Sequence, residues 1–119
     1  MGGAAVKDVS YEELKALMEK SKNLLLVDVR SEAEVAKGQI PGSINIPLDT
    51  VEDAMKMNPD AFKAKYGIPK PPQDSSELVF YCQMGKRGAA ATKKACDLGY
   101  VNARNYAGAY SEWSKKEAK

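Results

Sequence analysis

Two runs of apolar residues predict the centre of the fold. The first covers residues 24–29, and the second covers residues 78–81, immediately before Cys82. Neither run alternates with polar residues, so both strands are predicted to be covered on each face, as in a parallel sheet that carries helices on both sides. Shorter patterns predict three further strands, at residues 6–9, 43–46 and 101–106.

The segments between these strands have patterns typical of helices. Ser10 with Glu13, and Ser31 with Glu34, have the spacing of capping boxes, in which a serine and a following glutamate begin a helix. Further helices are predicted at residues 50–57, 59–66 and 89–98 and from Gly108 onwards. Strands that alternate with helices predict an α/β fold: a small parallel sheet of four to five strands, flanked by helices on both faces and joined by right-handed crossovers.

Length and composition are those of one globular domain. The 119 residues include 44% hydrophobic and 29% charged residues, ordinary values for a soluble protein with a single core. We expect the domain core at about residues 8–116, a flexible segment at 1–5 and an exposed loop at 67–76, which holds three prolines. A net charge of +2 is too small to indicate binding to nucleic acid or an anionic membrane, and no apolar run approaches the length of a membrane span.

Two cysteines in dissimilar settings do not form a disulfide framework. They indicate a reducing compartment, for which we expect the cytoplasm, with the mitochondrial matrix left open. Residues 1–6 lack the charged start and long apolar core of a signal peptide. The chain has no histidine, so a cysteine–histidine pair within it is excluded.

Cys82 is the candidate nucleophile, because it follows a buried strand and precedes a helix, the position at which open α/β sheets carry their chemistry. Backbone N–H groups of the following loop can converge on the sulfur as an anion nest, and the helix dipole points the same way. Together with two loop cations, these features favour the thiolate over the thiol. The loop comprises Gln83, Met84, Gly85, Lys86, Arg87 and Gly88. The alternative is a buried apolar cysteine, which is the interpretation we favour for Cys96 in its alanine-rich helix.

Two further groups of residues accompany the cysteine. Asp28 and Arg30 end the first apolar strand, on the edge of the sheet that also carries Cys82 if the strands are parallel. They would position the cysteine loop or an anionic substrate, or else form only a rim ion pair with a helix cap. The aromatic residues Tyr106, Tyr110 and Trp113 could line a pocket, but their spacing favours core packing.

The chain resembles a rhodanese domain over about residues 10–113. The resemblance rests on four segments in order: residues 28–30 (DVR), 38–47 (GQIPGSINIP), 82–88 (CQMGKRG) and 105–110 (NYAGAY) with Trp113. Within that family, the last two segments are most similar to those of single-domain thiosulfate:glutathione sulfurtransferases. Gln39 departs from the pattern, since many members have histidine there.

The resemblance implies transfer of sulfane sulfur from thiosulfate, through a Cys82 persulfide, to a thiol acceptor, with glutathione favoured. It implies ping-pong kinetics and a loop of residues 83–88 that binds substrate and persulfide, and it calls for neither a metal nor an organic cofactor. Nothing in the sequence demands more than a monomer. A persulfide carrier or regulatory module that acts on a protein partner, such as thioredoxin, is the alternative function.

A phosphatase or arsenate reductase is disfavoured. Related folds bind phosphate or arsenate in a loop between cysteine and arginine that is one residue longer and is preceded by histidine. Here four residues separate Cys82 from Arg87, and Tyr81 precedes the cysteine. The shorter loop forms a smaller cradle, which suits a single sulfur atom.

Overall fold

The computed structural model describes residues 7–21, 24–75 and 77–117, and these contain one five-stranded sheet. The strands are β1 (Lys7–Val9), β2 (Leu25–Asp28), β3 (Ile44–Asn45), β4 (Leu78–Tyr81) and β5 (Arg104–Tyr106). They are parallel throughout and lie in the order β1-β5-β4-β2-β3. The two apolar runs are β2 and β4, which pair with each other, and every residue of both strands is buried.

Helices cover both faces of the sheet, as predicted. They are α1 (Tyr11–Lys20), α2 (Glu32–Ala36), α3 (Leu48–Lys56), α4 (Pro59–Tyr66), α5 (Lys86–Asp97) and α6 (Ala109–Glu117). On one face, α3, α4 and α5 pack against the sheet through residues such as Val51, Phe62 and Ala91. On the other face, α1 and α6 contribute Leu14 and Trp113. The apolar residues of β2 and β4 alternate between these two cores, which explains why the strands carry no polar face.

Both predicted capping boxes are present. The hydroxyl of Ser10 accepts a hydrogen bond from the N–H of Glu13, whose carboxylate accepts one from the N–H of Ser10. Ser31 and Glu34 make the same reciprocal pair at the start of α2. Each box satisfies two backbone donors that a helix start would otherwise leave unpaired.

Several predicted boundaries were wrong by a few residues. Helix α3 begins at Leu48 instead of Thr50, because the Thr50 hydroxyl donates back to the carbonyl of Pro47 within the first turn. Helix α5 begins at Lys86 instead of residue 89, so part of the predicted loop is helical. Strand β5 is shorter than predicted, since a turn closed by the N–H of Ala103 and the carbonyl of Tyr100 precedes it.

Residues 67–75 contain neither helix nor strand. Gly67 ends α4 with a φ of 79°, a left-handed conformation that glycine adopts without strain. Ser76 and the N-terminal residues 1–5 lie outside the described part of the chain. Within the described ranges, no helix combines the length and the apolar character needed to cross a membrane.

Candidate active site

Cys82 lies at the carboxyl edge of the sheet, directly after β4. The last residues of β4 and β2 pair with each other, Tyr81 with Asp28, so the segments that follow both strands begin side by side. The cysteine itself is 1% exposed and belongs to the core that α3 and α5 cover. The sheet therefore holds the sulfur at the base of the loop that follows β4.

The loop turns sharply at Gly85, which brings a backbone donor to the sulfur. Gly85 has a φ of 105°, and its N–H donates to Sγ of Cys82 at 2.9 Å. A β-carbon at this position would lie 2.9 Å from the carbonyl oxygen of Ala107. The left-handed backbone and the close approach both require glycine, and helix α5 begins at the next residue. The first turn of this helix thus points its N-terminus towards Cys82.

Gly88 allows the same loop to pack closely on the sheet. A β-carbon there would lie 2.3 Å from Oδ1 of Asn105 and 3.1 Å from the α-carbon of Tyr81. Asn105 is buried in β5, and its side-chain amide donates to the carbonyl of Gly85 at 3.5 Å. Sequence reasoning used Asn105 only as part of a family segment and did not identify this contact beneath the loop.

The start of α6 also holds the loop. The N–H of Tyr110 donates to the carbonyl of Cys82 at 2.8 Å, and the N–H of Ser111 donates to the carbonyl of Gln83 at 3.1 Å. These are backbone groups that a helix start leaves free, and here they bind the segment that carries the nucleophile. The segment of residues 105–110, together with the start of α6, therefore holds the cysteine loop of residues 82–88 in place.

Asp28 and Arg30 form a buried ion pair beside the loop. Asp28 is fully buried and Arg30 is 2% exposed, and the guanidinium reaches the carboxylate at 2.6 Å. Burial by itself lowers the pKa of Arg30, but the hydrogen bonds and charge of Asp28 outweigh it, so the pKa is raised. The guanidinium of Arg30 is therefore stabilised in its charged form by its buried partner.

Arg30 also connects three other parts of the site. Its remaining donors reach the side-chain oxygen of Gln83 at 3.1 Å and the carbonyl of Gly38 at 2.6 Å, while Tyr110 stacks on the guanidinium with its ring centre 4.4 Å away. The loop-positioning role considered for Arg30 stays a prediction, and the contact with Gln83 provides a physical route for it. The stacking of Tyr110 was missed, since core packing was the favoured interpretation of that aromatic group.

The two loop cations differ in their surroundings. Lys86 is exposed, and no ion pair to it is found in the described residues. Arg87 instead makes a two-pronged pair with Glu34 of α2, at 2.7 and 2.9 Å. Hydrogen bonds from Arg87 and then Ser31 lower the pKa of Glu34 to about 2. Sequence reasoning missed this pair, because the capping box had already given Glu34 a role.

The other residues singled out from the sequence make their side-chain contacts elsewhere in the described structure. Tyr106 and Trp113 are buried in the core, as their spacing predicted. Cys96 is partly buried against the other core, and burial raises the pKa of its thiol. The side-chain amide of Gln39 donates to the backbone carbonyl of Ser43, and the hydroxyl of Ser43 is hydrogen-bonded to that of Tyr81. Met84 is 71% exposed at the tip of the loop.

This arrangement suits nucleophilic chemistry on a small anion. A buried sulfur accepts a backbone N–H, lies near a helix N-terminus and is flanked by positive charges, all of which stabilise an anion at that position. In the residues that the structure describes, no group of three or more histidine, cysteine or acidic side chains could hold a metal ion.

Comparisons with known proteins identify the family. The profile of the rhodanese-like domain matches residues 10–116. A human thiosulfate:glutathione sulfurtransferase is 51% identical over 97% of this chain and 99% of its own length, and a Saccharomyces cerevisiae protein of the same name is 40% identical over 91% and 78%. The solved structure of a human single-domain sulfurtransferase superposes with a TM-score of 0.87, with 52% identity over 97% of this chain and 99% of that one. The chain therefore belongs to the rhodanese family.

Proposed function

We propose that this chain is a thiosulfate sulfurtransferase that passes sulfur through a Cys82 persulfide to glutathione. The observation that carries the proposal is the hydrogen bond from the N–H of Gly85 to Sγ of Cys82, at the base of the loop that contains Lys86 and Arg87. The curated relatives named as thiosulfate:glutathione sulfurtransferases support the choice of donor and acceptor.

In the first half-reaction, the Cys82 thiolate attacks the outer sulfur of thiosulfate. The new bond joins Sγ to that sulfur, the sulfur–sulfur bond of thiosulfate breaks, and sulfite leaves with the electron pair. The N–H groups of the loop stabilise the charge on the transferred sulfur, and Lys86 offsets the charge of the departing sulfite. The product on the protein is a Cys82 persulfide.

In the second half-reaction, a glutathione thiolate attacks the terminal sulfur of the persulfide. The bond between the two persulfide sulfurs breaks, glutathione persulfide leaves, and the Cys82 thiolate is restored. Because the donor product leaves before the acceptor reacts, the kinetics are ping-pong.

The roles of the supporting residues follow from their contacts. The backbone of Gln83, Met84, Gly85 and Gly88 shapes the cradle for the persulfide. Lys86 supplies its free positive charge, and the charge of Arg87 is offset by Glu34. Arg30, held by Asp28, positions the loop through the side chain of Gln83. None of these residues requires a cofactor for its role.

A protein acceptor such as thioredoxin is the second candidate, and Met84 is the observation that favours it. A methionine exposed to 71% beside the nucleophile can form an apolar contact with a protein surface, where a small peptide would leave it in water.

The protein acts as a monomer in the cytoplasm under this proposal. The mitochondrial matrix is the alternative, because relatives from Schizosaccharomyces pombe and Saccharomyces cerevisiae are named as mitochondrial proteins.

The test compares acceptors at a fixed thiosulfate concentration. Glutathione, a reduced thioredoxin and cyanide are each supplied to the wild type and to Met84→Ala. We expect turnover with glutathione, and little change in it for the variant, because the small acceptor does not need the apolar contact. Turnover with thioredoxin alone, lost in Met84→Ala, would replace glutathione by a protein acceptor.

A further inference from the structure

Glu34 is the one carboxylate seen to bind a cation of the cysteine loop in the described residues. Both of its oxygens accept hydrogen bonds from the guanidinium of Arg87, at 2.7 and 2.9 Å. The two residues are far apart in the chain, so the contact joins α2 to the first turn of α5. Neither side chain is fully buried, at 35% and 38% exposure, so the pair is partly accessible to solvent.

The carboxylate is held from a second side. The N–H and the hydroxyl of Ser31 both donate to Oε1 of Glu34, each at 3.1 Å. A carboxylate fixed by a helix cap and by a two-pronged arginine keeps its charge in one place, in contrast to a mobile surface glutamate. Glu34 therefore acts on the site as a fixed negative charge.

The charges around the sulfur are nearly balanced in the described residues. The buried pair of Asp28 and Arg30 is neutral as a unit, and so is the pair of Glu34 and Arg87. Lys86 supplies the remaining positive charge of the loop. Arg87 lies in the first turn of α5, two positions after Gly85, whose N–H donates to Sγ of Cys82 at 2.9 Å, so its pair with Glu34 belongs to the loop that holds the reacting sulfur.

We propose that Glu34 is a specificity-determining residue for the sulfur donor. By pairing with Arg87, it limits the positive charge that a donor meets, and so it limits the preference for dianionic over monoanionic donors. Its removal adds one uncompensated positive charge near the sulfur, which favours a dianion more than a monoanion. This inference rests on the proposed function, since it concerns the first half-reaction.

Thiosulfate and methanethiosulfonate provide the comparison. Both offer an outer sulfur to the Cys82 thiolate, and both lose it by cleavage of the same kind of sulfur–sulfur bond. Thiosulfate is a dianion that releases sulfite, whereas methanethiosulfonate is a monoanion that releases methanesulfinate with the electron pair. The two donors thus differ mainly by one negative charge.

The experiment measures kcat/KM for both donors with saturating glutathione in wild type, Glu34→Gln, Glu34→Asp and Glu32→Gln. Glutamine nearly keeps the size of Glu34 without its charge, and aspartate keeps the charge with a shorter side chain. Glu32 lies in the same helix turn and is exposed, so its substitution is a control for net charge alone. Thermal unfolding confirms that each variant is folded.

We expect Glu34→Gln to raise the ratio of kcat/KM for thiosulfate over methanethiosulfonate about threefold to tenfold at low salt, with the gain shrinking as salt is added. Glu34→Asp and Glu32→Gln should stay near the wild-type ratio. An unchanged ratio in Glu34→Gln, with both donors falling together, would reduce Glu34 to a structural anchor and overturn the inference. Absence of turnover with either donor in the wild type would instead contradict the proposed function.

Discussion

At the residue scale, the site depends on which positive charges are free. Arg30 and Arg87 both hold carboxylates, whereas Lys86 is exposed at the start of α5 without a recorded partner in the described residues. An unpaired ammonium is a strong attractor for a small dianion at the mouth of a cleft. We therefore expect Lys86 to contribute more than either arginine to capture of the donor.

Replacing Lys86 by alanine should raise the KM for thiosulfate about threefold or more at low salt, with a smaller change in kcat, because attraction to the free donor is lost. Steady-state kinetics at two salt concentrations measure the effect, which should shrink at the higher one. Lys94→Ala removes the same charge from an exposed position near the other end of α5 and is the matched control. Equal effects of the two substitutions would show that only net charge matters.

The change in stability caused by Gly88→Ala has opposite signs depending on whether close packing or helix propensity dominates at this position. In an exposed helix, replacing glycine by alanine stabilises by about 1 kcal/mol. At Gly88 the added carbon meets Asn105 and the backbone of Tyr81, so Gly88→Ala should instead destabilise the fold by roughly 1–3 kcal/mol and displace the loop. Urea unfolding and sulfur-transfer activity measure the two consequences. A variant that is more stable and fully active would contradict this packing.

At the element scale, α2 and α5 are joined by the pair of Glu34 and Arg87. The Arg87 guanidinium and the Ser31 cap lower the pKa of Glu34 to about 2, whereas an unfolded chain has the ordinary carboxyl value near 4.5. Because the folded pKa is the lower one, the charged form stabilises the fold above pH 4.5, and this contribution is lost as the pH falls towards 2.

The stability of Glu34→Gln should therefore fall less than that of the wild type between pH 4.5 and pH 2. Urea midpoints across this range measure the difference, with Glu32→Gln as the control, since no arginine pairs with Glu32 among the residues that the structure describes. The difference should be small, because the pair is partly exposed to solvent. Parallel pH curves for all three proteins would contradict a contribution from the pair.

The elements themselves were largely predictable from sequence, because their signals are local. Apolar runs identified β2 and β4, and serine–glutamate spacing identified the starts of α1 and α2. The start of α5 was not predictable, since the turn at Gly85 depends on a close approach to Ala107. Glu34 shows the same limit: its capping role is local, but Arg87 lies 53 positions away in the chain.

At the scale of the whole molecule, strand order assembles the site. Because β2 and β4 are parallel neighbours, the segments after them meet at one edge, and β5 on the far side of β4 brings Asn105 and the start of α6 to the loop. The family resemblance identified these segments, but their contacts depend on three-dimensional proximity. Arg30 touching both Gln83 and Tyr110 is the clearest example.

The central claim is that Cys82 carries the sulfur as a persulfide, and intact mass tests it most directly. The intact mass of the protein is measured by mass spectrometry after incubation with excess thiosulfate, and again after treatment with glutathione. Cys82→Ser and Cys96→Ser are measured in the same way. We predict a gain of about 32 Da that glutathione removes, present in the wild type and Cys96→Ser and absent in Cys82→Ser. A gain that persists in Cys82→Ser, or no gain in the wild type, would contradict the account.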